Sequence, residues 1–274
     1  MSSHRSAFAG GDQAYLAKVQ YGDSAKLEAR VALHRDFATS AVRLPDFQAS
    51  LVAWQADSAI LECGCGSGRF WENQYVPRSA AVTVTDLSFG MVDAAVERAR
   101  NNGFTSVAGH TCDVQDLPFA DDRFDVVVAN HMLYHVPDPD QAIAELARVV
   151  RPDGVVVAAT NGYGHMAEMD DAVAEVFGRR TGELYDVFGI DSGEARLRER
   201  FASLTWHAFD NDLMVTDPAA AVAYGLSFPP GESATEAEAE AFTAAIEGRF
   251  VDGRFRIRTR AGVFVCGDPG PGST

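Results

Sequence analysis

Short apolar runs alternate with helical patterns through the middle of the chain. Residues 59–63, 81–86, 125–130 and 155–159 each have the composition of a β-strand. The last two runs are rich in valine and show no alternation of apolar and polar positions. Runs of this kind are typical of strands buried on both faces, as in parallel sheets.

Amphipathic segments lie between these runs. Residues 88–100 begin at Ser88, a good N-cap, and residues 139–150 follow Asp138, which precedes Pro139. Proline suits the first helical position because the amide hydrogen that it lacks would be unpaired there. Alternation of strand and helix predicts an α/β, doubly wound parallel sheet with right-handed crossovers.

The outer regions are mainly helical in pattern. We expect helices over residues 24–37, 165–179, 192–201, 217–224 and 235–248, and a strand over residues 204–209. Thr235 and Glu238 have the spacing of a capping box. Residues 255–258 and 262–266 are predicted to close the chain as a hairpin.

The composition and net charge of the chain exclude some classes of binding partner. The 274 residues carry a formal charge of −16, and no basic cluster is apparent. Such a surface repels nucleic acid and anionic lipid, so we expect neither as a partner. The sequence shows neither a secretory signal nor an apolar run of membrane-spanning length, which favours a cytoplasmic protein. The four cysteines form no C-x-x-C pair and are expected to be reduced thiols, with no metal bound.

The most informative segment is ECGCGSG, residues 62–68, directly after the first strand. Glycine permits a tight turn and a close approach of the backbone to a ligand. Asp86 ends the next strand, where a carboxylate can accept hydrogen bonds from a ribose diol. These features together indicate a cofactor that contains adenosine.

The charge near the turn helps to distinguish between cofactors. A dinucleotide fingerprint needs a third glycine where Arg69 stands, and Glu62 would repel a pyrophosphate. A cationic cofactor with an ammonium and a sulfonium suits the acid. S-adenosylmethionine is therefore favoured over NAD, and an NAD-dependent oxidoreductase is the less favoured alternative.

Residues 55–162 resemble the class I S-adenosylmethionine-dependent methyltransferases, in particular the small-molecule branch related to the quinone-biosynthesis enzymes. Four motifs match in order, at residues 60–68, 84–91, 112–119 and 124–136. The resemblance implies a mostly parallel, Rossmann-like sheet of seven strands, with N-terminal helices and a helical insertion that acts as a lid. It divides the chain into a flexible tail (1–20), an N-terminal helical lid (21–55), the cofactor-binding core (56–162) and a C-terminal part that carries the insertion (163–274).

The resemblance also implies the cofactor contacts. Asp86 is expected to bind the ribose hydroxyls, and Asp113 is expected to accept a hydrogen bond from the adenine amino group. The glycine turn is expected to face the methionine moiety. Tyr21, in a leader segment that continues through Arg30 and His34, is expected to reach the cofactor carboxylate. The full set of expected contacts is Tyr21, Glu62, Gly64, Gly66, Asp86, Leu87, Met91, Asp113, Val114 and Asn130.

The implied reaction is in-line transfer of a methyl group to an O, N or C nucleophile of a small molecule, with S-adenosylhomocysteine as product. Proximity alone accounts for much of the rate in such a reaction, so a general base is optional. Candidates for one are His165, His135, Tyr134 and His131, all near the ends of strands; His135 is also explained by packing. A non-catalytic S-adenosylmethionine-binding protein remains an alternative, and residues 180–250 suit a homodimer contact as well as a lid.

Overall fold

The computed structural model describes residues 6–22, 25–180 and 183–270. Its centre is a seven-stranded sheet in the order β3-β2-β1-β4-β5-β9-β6. The strands are β1 (Ala59–Cys63), β2 (Ala81–Asp86), β3 (Ser106–Thr111), β4 (Phe124–Asn130), β5 (Val150–Asn161), β6 (Phe201–Phe209), β7 (Asp212–Val215), β8 (Phe255–Arg258) and β9 (Ala261–Pro269). Strands β1 to β5 pair in parallel, and β9 runs antiparallel between β5 and β6. The predicted fold class is confirmed.

Helices cover the sheet and the site. They are α1 (Gln13–Tyr15), α2 (Ala25–Phe37), α3 (Leu44–Ser50), α4 (Phe89–Asn101), α5 (Pro139–Val149), α6 (Ala167–Phe177), α7 (Leu184–Phe188), α8 (Ile190–Arg198), α9 (Pro218–Gly225) and α10 (Glu236–Glu247). The predicted caps are present. Ser88 accepts from the amide of Met91, Asp138 accepts from two amides of α5, and Thr235 and Glu238 form a capping box.

Each face of the sheet has its own hydrophobic core, because successive side chains of a strand point to opposite faces. In β4, Val127 and Ala129 pack in the cluster that includes Leu146 of α5. Val126 and Val128 pack in the cluster that includes Ala95 of α4. Burial on both faces explains the continuous valine run.

A third cluster lies outside the sheet. Leu33 of α2 packs there with side chains of α6, of α10 and of the two-stranded sheet that β7 and β8 form. The predicted hairpin is therefore wrong: β8 pairs with β7, and β9 joins the main sheet. The predicted helix over 192–201 ends at Arg198, and Phe201 begins β6.

The N-terminal segment differs from the expected flexible tail. Residues 1–5 lie outside the described residues. Residues 7–20 form short helical turns that bury Leu16 and Gln20. We call residues 6–22 the N-terminal cover. No helix in the described ranges is long and apolar enough to cross a membrane.

Candidate active site

A cavity of about 640 Å³ lies at the carboxyl ends of β1, β2, β4 and β5. The order of the strands reverses at β1, since β2 lies on one side of it and β4 on the other. Such a switch point leaves a crevice in doubly wound sheets, and ligands bind there. The volume is in the range of small-molecule sites.

The glycine turn is built for close packing. Gly64 has a φ of +62°, and a Cβ there would lie 2.7 Å from Cβ of Met132. Gly68 has a φ of +76°, and a Cβ there would lie 2.6 Å from Cα of Ala95 in α4. Neither position tolerates a side chain, because the left-handed backbone and the contact both oppose it.

Asp86 connects the end of β2 to this turn. Its Oδ2 accepts from the amide of Gly66 at 3.0 Å, and its Oδ1 accepts from the amide of Ser88 at 3.0 Å. Burial raises the pKa of the carboxyl, and these amide bonds oppose that shift. The carboxylate lines the cavity, and each oxygen keeps a second lone pair for a ligand.

Glu62, the penultimate residue of β1, is only 2% exposed. Nε1 of Trp71 donates to its Oε2 at 2.6 Å. Burial raises the pKa of Glu62 to about 8, with a further contribution from the charge of Asp86. The amide of Asn130 favours the charged form, yet neither of its polar atoms makes a hydrogen bond of good geometry within the described residues. A cation bound here would lower the pKa of Glu62 and so favour its ionised form. The side-chain amide of Asn130 beside it would be available for a hydrogen bond.

Asp113 receives hydrogen bonds from two glutamines. The side-chain Nε2 of Gln13 donates to Oδ2 at 2.8 Å, and the backbone amide of Gln115 donates to Oδ1 at 2.9 Å. Gln13 belongs to the N-terminal cover, so the cover is attached directly to the loop that the sequence assigns to adenine. Val114, the next residue, also lines the cavity.

The cover also contacts the loop after β4. Oη of Tyr21 lies 2.9 Å from Nε2 of His135, and Nδ1 of His135 lies 2.6 Å from the carbonyl oxygen of Phe8. A carbonyl only accepts, so Nδ1 carries the proton and Nε2 accepts from Tyr21. Burial lowers the pKa of His135 to about 3. Both ring nitrogens are thus occupied, which suits a structural role for His135.

Arg30 of α2 lies between the cover and the cavity. Its guanidinium is 5.3 Å from the ring centre of Tyr21, and it lines the cavity. Nε and one terminal nitrogen are buried without a hydrogen-bond partner in the described part of the chain. A buried guanidinium with unused donors is suited to bind a carboxylate. The sequence placed Arg30 in the leader segment without giving it a role.

Nine of the ten expected cofactor contacts line the cavity. Met91 does not: it is buried in the first turn of α4, where it contributes to the core. The candidate catalytic residues His165, His135 and Tyr134 all line the cavity. Burial raises the pKa of Tyr134 well above its usual value, so its hydroxyl is neutral.

Sequence reasoning missed most of the walls outside the core. The cavity is also lined by side chains from the cover and from the helices and turns after β5, namely Phe8, Gln13, Leu16, Tyr185, Tyr224 and Phe228. No local motif marks these residues, because tertiary packing alone brings them to the cavity. His131, a further candidate base from the sequence, and His34, to which the sequence assigned no role, line it as well.

The fold and this crevice define a Rossmann-like protein with a cavity of small-molecule size at the switch point of its sheet. Residues 61–158 match the methyltransferase domain family. This segment belongs to that family, and the resemblance to class I S-adenosylmethionine-dependent methyltransferases is confirmed for it.

Curated relatives agree with this assignment. The chain is 33% identical over 121 residues to a malonyl-[acyl-carrier protein] O-methyltransferase of Serratia marcescens, covering 44% of this chain and 45% of the relative. It is 40% identical over 115 residues to a demethylmenaquinone methyltransferase of Thermobifida fusca, covering 40% and 47%. The match thus spans about half the length of each relative.

Solved structures share the fold. The YcgJ protein of Bacillus subtilis matches with a TM-score of 0.56 and 17% identity, over 82% of this chain and 98% of that one. A phosphoethanolamine N-methyltransferase of Haemonchus contortus, solved with S-adenosylhomocysteine, matches with a TM-score of 0.51 and 15% identity, over 93% and 59%.

Proposed function

We propose that this protein transfers a methyl group from S-adenosylmethionine to a small molecule. The observation that carries the proposal is the pair of carboxylates that flank the glycine turn inside the cavity, the buried Glu62 and the half-buried Asp86. Two acids beside a nucleotide-type turn favour a cation and a ribose diol over a pyrophosphate.

The chemistry of the surrounding side chains fits the cofactor. Asp86 would accept from the ribose hydroxyls, and Asp113 would accept from the adenine amino group. Glu62 and the backbone at Gly64 would bind the ammonium of the methionine moiety. Arg30, whose buried donors are unused, would bind its carboxylate.

The bound cofactor would supply a methyl group already activated by its sulfonium. The protein then has to align the acceptor with that methyl group and exclude water, and alignment of this kind is equivalent to effective concentrations of about 10⁵–10⁸ M. The N-terminal cover contributes to both tasks. Its Tyr21 and Gln13 bond to His135 and Asp113, on the loops that follow β4 and β3.

A small acceptor is favoured by the walls of the cavity. Aromatic side chains of the cover and of α7 and α9 enclose it, including Phe8, Tyr185 and Tyr224. The two relatives cited above are named for malonyl-[acyl-carrier protein] and for demethylmenaquinone. We infer an acceptor of metabolite size that enters the cavity from the side of the cover.

One structural neighbour that shares the fold is named for a different reaction. The 4+2 cyclase SpnF matches with a TM-score of 0.50 and 19% identity. A shared fold does not fix the reaction. A protein that binds S-adenosylmethionine without transferring its methyl group is therefore the alternative that the experiment has to exclude.

The test combines binding with turnover. In calorimetry we expect Asp86→Ala to weaken S-adenosylhomocysteine binding by about 1.5–3 kcal/mol, the scale of hydrogen bonds to a charged group. Asp93→Asn, on the exposed side of α4, is the control and should bind as the wild type does. Unchanged affinity in Asp86→Ala would refute the assignment of that residue.

Turnover is measured with a methyl-labelled donor and a metabolite extract. The proposal expects label in a small product and release of S-adenosylhomocysteine. Binding without any labelled product would favour the non-catalytic alternative.

A further inference from the structure

Three histidines from separate elements line one part of the cavity, and His165 among them is buried. They are His34 of α2, His131 directly after β4, and His165 just before α6. The rings of His34 and His165 are stacked, 6.0 Å apart between centres and 11° from parallel. Burial lowers the pKa of His34 and of His131 to about 4, and that of His165 well below its usual value. All three rings are therefore neutral at physiological pH.

The tautomer of His165 follows from one hydrogen bond. The backbone amide of Arg260 donates to its Nδ1 at 3.1 Å. A neutral imidazole has one acceptor and one donor nitrogen, so the proton is on Nε2. The ring can donate a hydrogen bond, but it has no free nitrogen to take up a proton. Its geometry thus favours a role other than the general base that its sequence position suggests.

His131, in contrast to His165, has a ring nitrogen that is free to take up a proton. Its backbone has a φ of +54°, and its amide donates to the carbonyl of Ala159 at 2.9 Å. This bond to β5 fixes the residue at the end of β4, directly after Asn130. The ring makes no hydrogen bond within the described residues, so the lone pair of its neutral form is available.

The charges of the cavity are arranged asymmetrically. Its four lining acids, Glu62, Glu72, Asp86 and Asp113, all lie on or next to β1, β2 and β3. None lies on the elements that carry the histidines. Asp170 raises the pKa of Tyr185 and Tyr224, but it does not line the cavity. A protonated amine would find no carboxylate among the histidines, whereas a neutral hydroxyl would find both a donor and an acceptor.

We propose that the acceptor is a hydroxyl compound whose oxygen accepts from Nε2–H of His165 and is deprotonated by His131. This inference rests on the proposed methyl transfer. A lone pair of the oxygen forms the new O–C bond while the S–C bond breaks and its electron pair stays on sulfur. The hydroxyl proton passes to His131, which afterwards releases it to water. His165 is then a catalytic donor and His131 the base.

Nitrogen NMR of the histidine-labelled protein with S-adenosylhomocysteine bound tests the tautomer directly. Two-bond proton–nitrogen spectra distinguish a ring with its proton on Nε2 from one with its proton on Nδ1 or with both. The signals are assigned from His131→Gln and His165→Gln. We expect His165 as the Nε2–H tautomer and neutral at pH 7. A His165 ring with the proton on Nδ1, or doubly protonated, would overturn the proposal.

Variants separate the donor from the base, because glutamine carries an amide donor near the position of Nε2 but cannot take up a proton. With the extract and labelled donor described above, His131→Gln should slow single-turnover transfer by about 10²–10⁴-fold, the usual contribution of a general base. His165→Gln should stay within about tenfold of wild type, and His165→Leu should be slower than His165→Gln. A fast His131→Gln together with a slow His165→Gln would reverse the two roles and refute the inference.

The labelled product identifies the class of acceptor. An O-methyl ether or ester is expected, and a methylated amine as the main product would refute the hydroxyl assignment. Calorimetry with S-adenosylhomocysteine keeps the two proposals apart. Failure of the wild type to bind it would be a failure of the proposed function, whereas normal binding with reversed variant effects would be a failure of this inference alone.

Discussion

The phenol of Tyr21 donates a hydrogen bond to Nε2 of His135, and the two atoms are 2.9 Å apart. His135 in turn donates from Nδ1 to the carbonyl of Phe8. One imidazole therefore joins both ends of the N-terminal cover to the loop after β4. The site is closed by contacts far apart in sequence, and their strength should govern how fast a ligand leaves.

Replacing Tyr21 with phenylalanine tests this closure. The change leaves Nε2 of His135 buried without a donor, at a cost of about 1–3 kcal/mol. We expect S-adenosylhomocysteine to dissociate roughly tenfold faster in stopped-flow measurements. Tyr75→Phe, at a residue that is 53% exposed, is the matched control. Equal dissociation rates in the two variants would contradict a closing role for Tyr21.

Glu232 fastens the same cover to the segment after α9. Nζ of Lys26 and Nε2 of Gln20 each donate to Oε2 at 2.5 Å, and Oη of Tyr15 donates to Oε1. Glu232→Gln removes the charge that strengthens these bonds, so amides of residues 13–20 should exchange with solvent about 10–100-fold faster. The exposed pair of Arg35 and Asp36 provides the control Asp36→Asn, which should leave exchange in the cover unchanged. Identical exchange in both variants would show that Glu232 does not hold the cover.

Gly64→Ala should reduce stability for two separable reasons. A left-handed backbone costs about 1–2 kcal/mol for a residue with a side chain, and the new methyl group would also collide with Met132. Gly253 has a similar φ of +70° but nothing within 4 Å, so Gly253→Ala measures the backbone cost alone. Urea unfolding should show a larger loss of stability for Gly64→Ala than for Gly253→Ala. Equal losses in the two single variants would mean that the turn relaxes away from Met132.

Cofactor binding should release a proton from Glu62. Its pKa of about 8 keeps most of the carboxyl protonated at pH 7, and a bound ammonium would favour the ionised form. Affinity should therefore rise as the pH increases from about 6 to 8. Calorimetry of S-adenosylhomocysteine in buffers of different ionisation enthalpy measures the released proton. Glu62→Gln should bind more weakly and release none; a proton release equal to that of the wild type would place its source elsewhere.

The buried histidines should make stability sensitive to acid. The pKa values of His34 and His131 are about 4 and that of His135 about 3, all below the usual 6.5. Below pH 6.5 the unfolded chain binds protons that the folded chain does not, so the free energy of unfolding falls as the pH falls. The raised pKa values of Glu62 and Asp86 act in the opposite sense, but the histidines with lowered pKa values, which include His165, outnumber these two acids.

Urea unfolding at pH 5, 6 and 7 checks this dependence. Each buried histidine contributes up to about 1.4 kcal/mol per pH unit, so His135→Gln should flatten the profile. The exposed His110→Gln should keep the wild-type slope. A profile that remains steep in His135→Gln would show that other groups carry the effect.

The strands and helices of the central sheet could be predicted from the sequence because the features that indicate them are local. Valine runs, the caps Ser88 and Asp138, and the glycine turn each act within a few residues. Strand β3 was less visible, since it lies at the edge of the sheet and most of its residues are exposed. Met91 lies in the first turn of α4 with its side chain buried, and it does not line the cavity.

The parts of the structure that the sequence did not predict depend on contacts between segments that are distant in the chain. Residues 7–20 have no apolar periodicity, and they are ordered through partners such as Asp113, His135 and Glu232. Adjacency in sequence suggested that β8 and β9 pair, but β8 pairs with β7 instead. The tautomer of His165 likewise depends on the amide of Arg260, 95 residues away.

The position of β9 has a consequence for the order of assembly. Strand β6 bonds to the main sheet only through β9, which follows it by about fifty residues. While the chain emerges from the ribosome, β1 to β5 can pair as each is completed, but β6 has no neighbour until β9 has been translated. The backbone donors and acceptors of β6 stay unpaired during that interval, so the sheet is completed only after β9 has been translated.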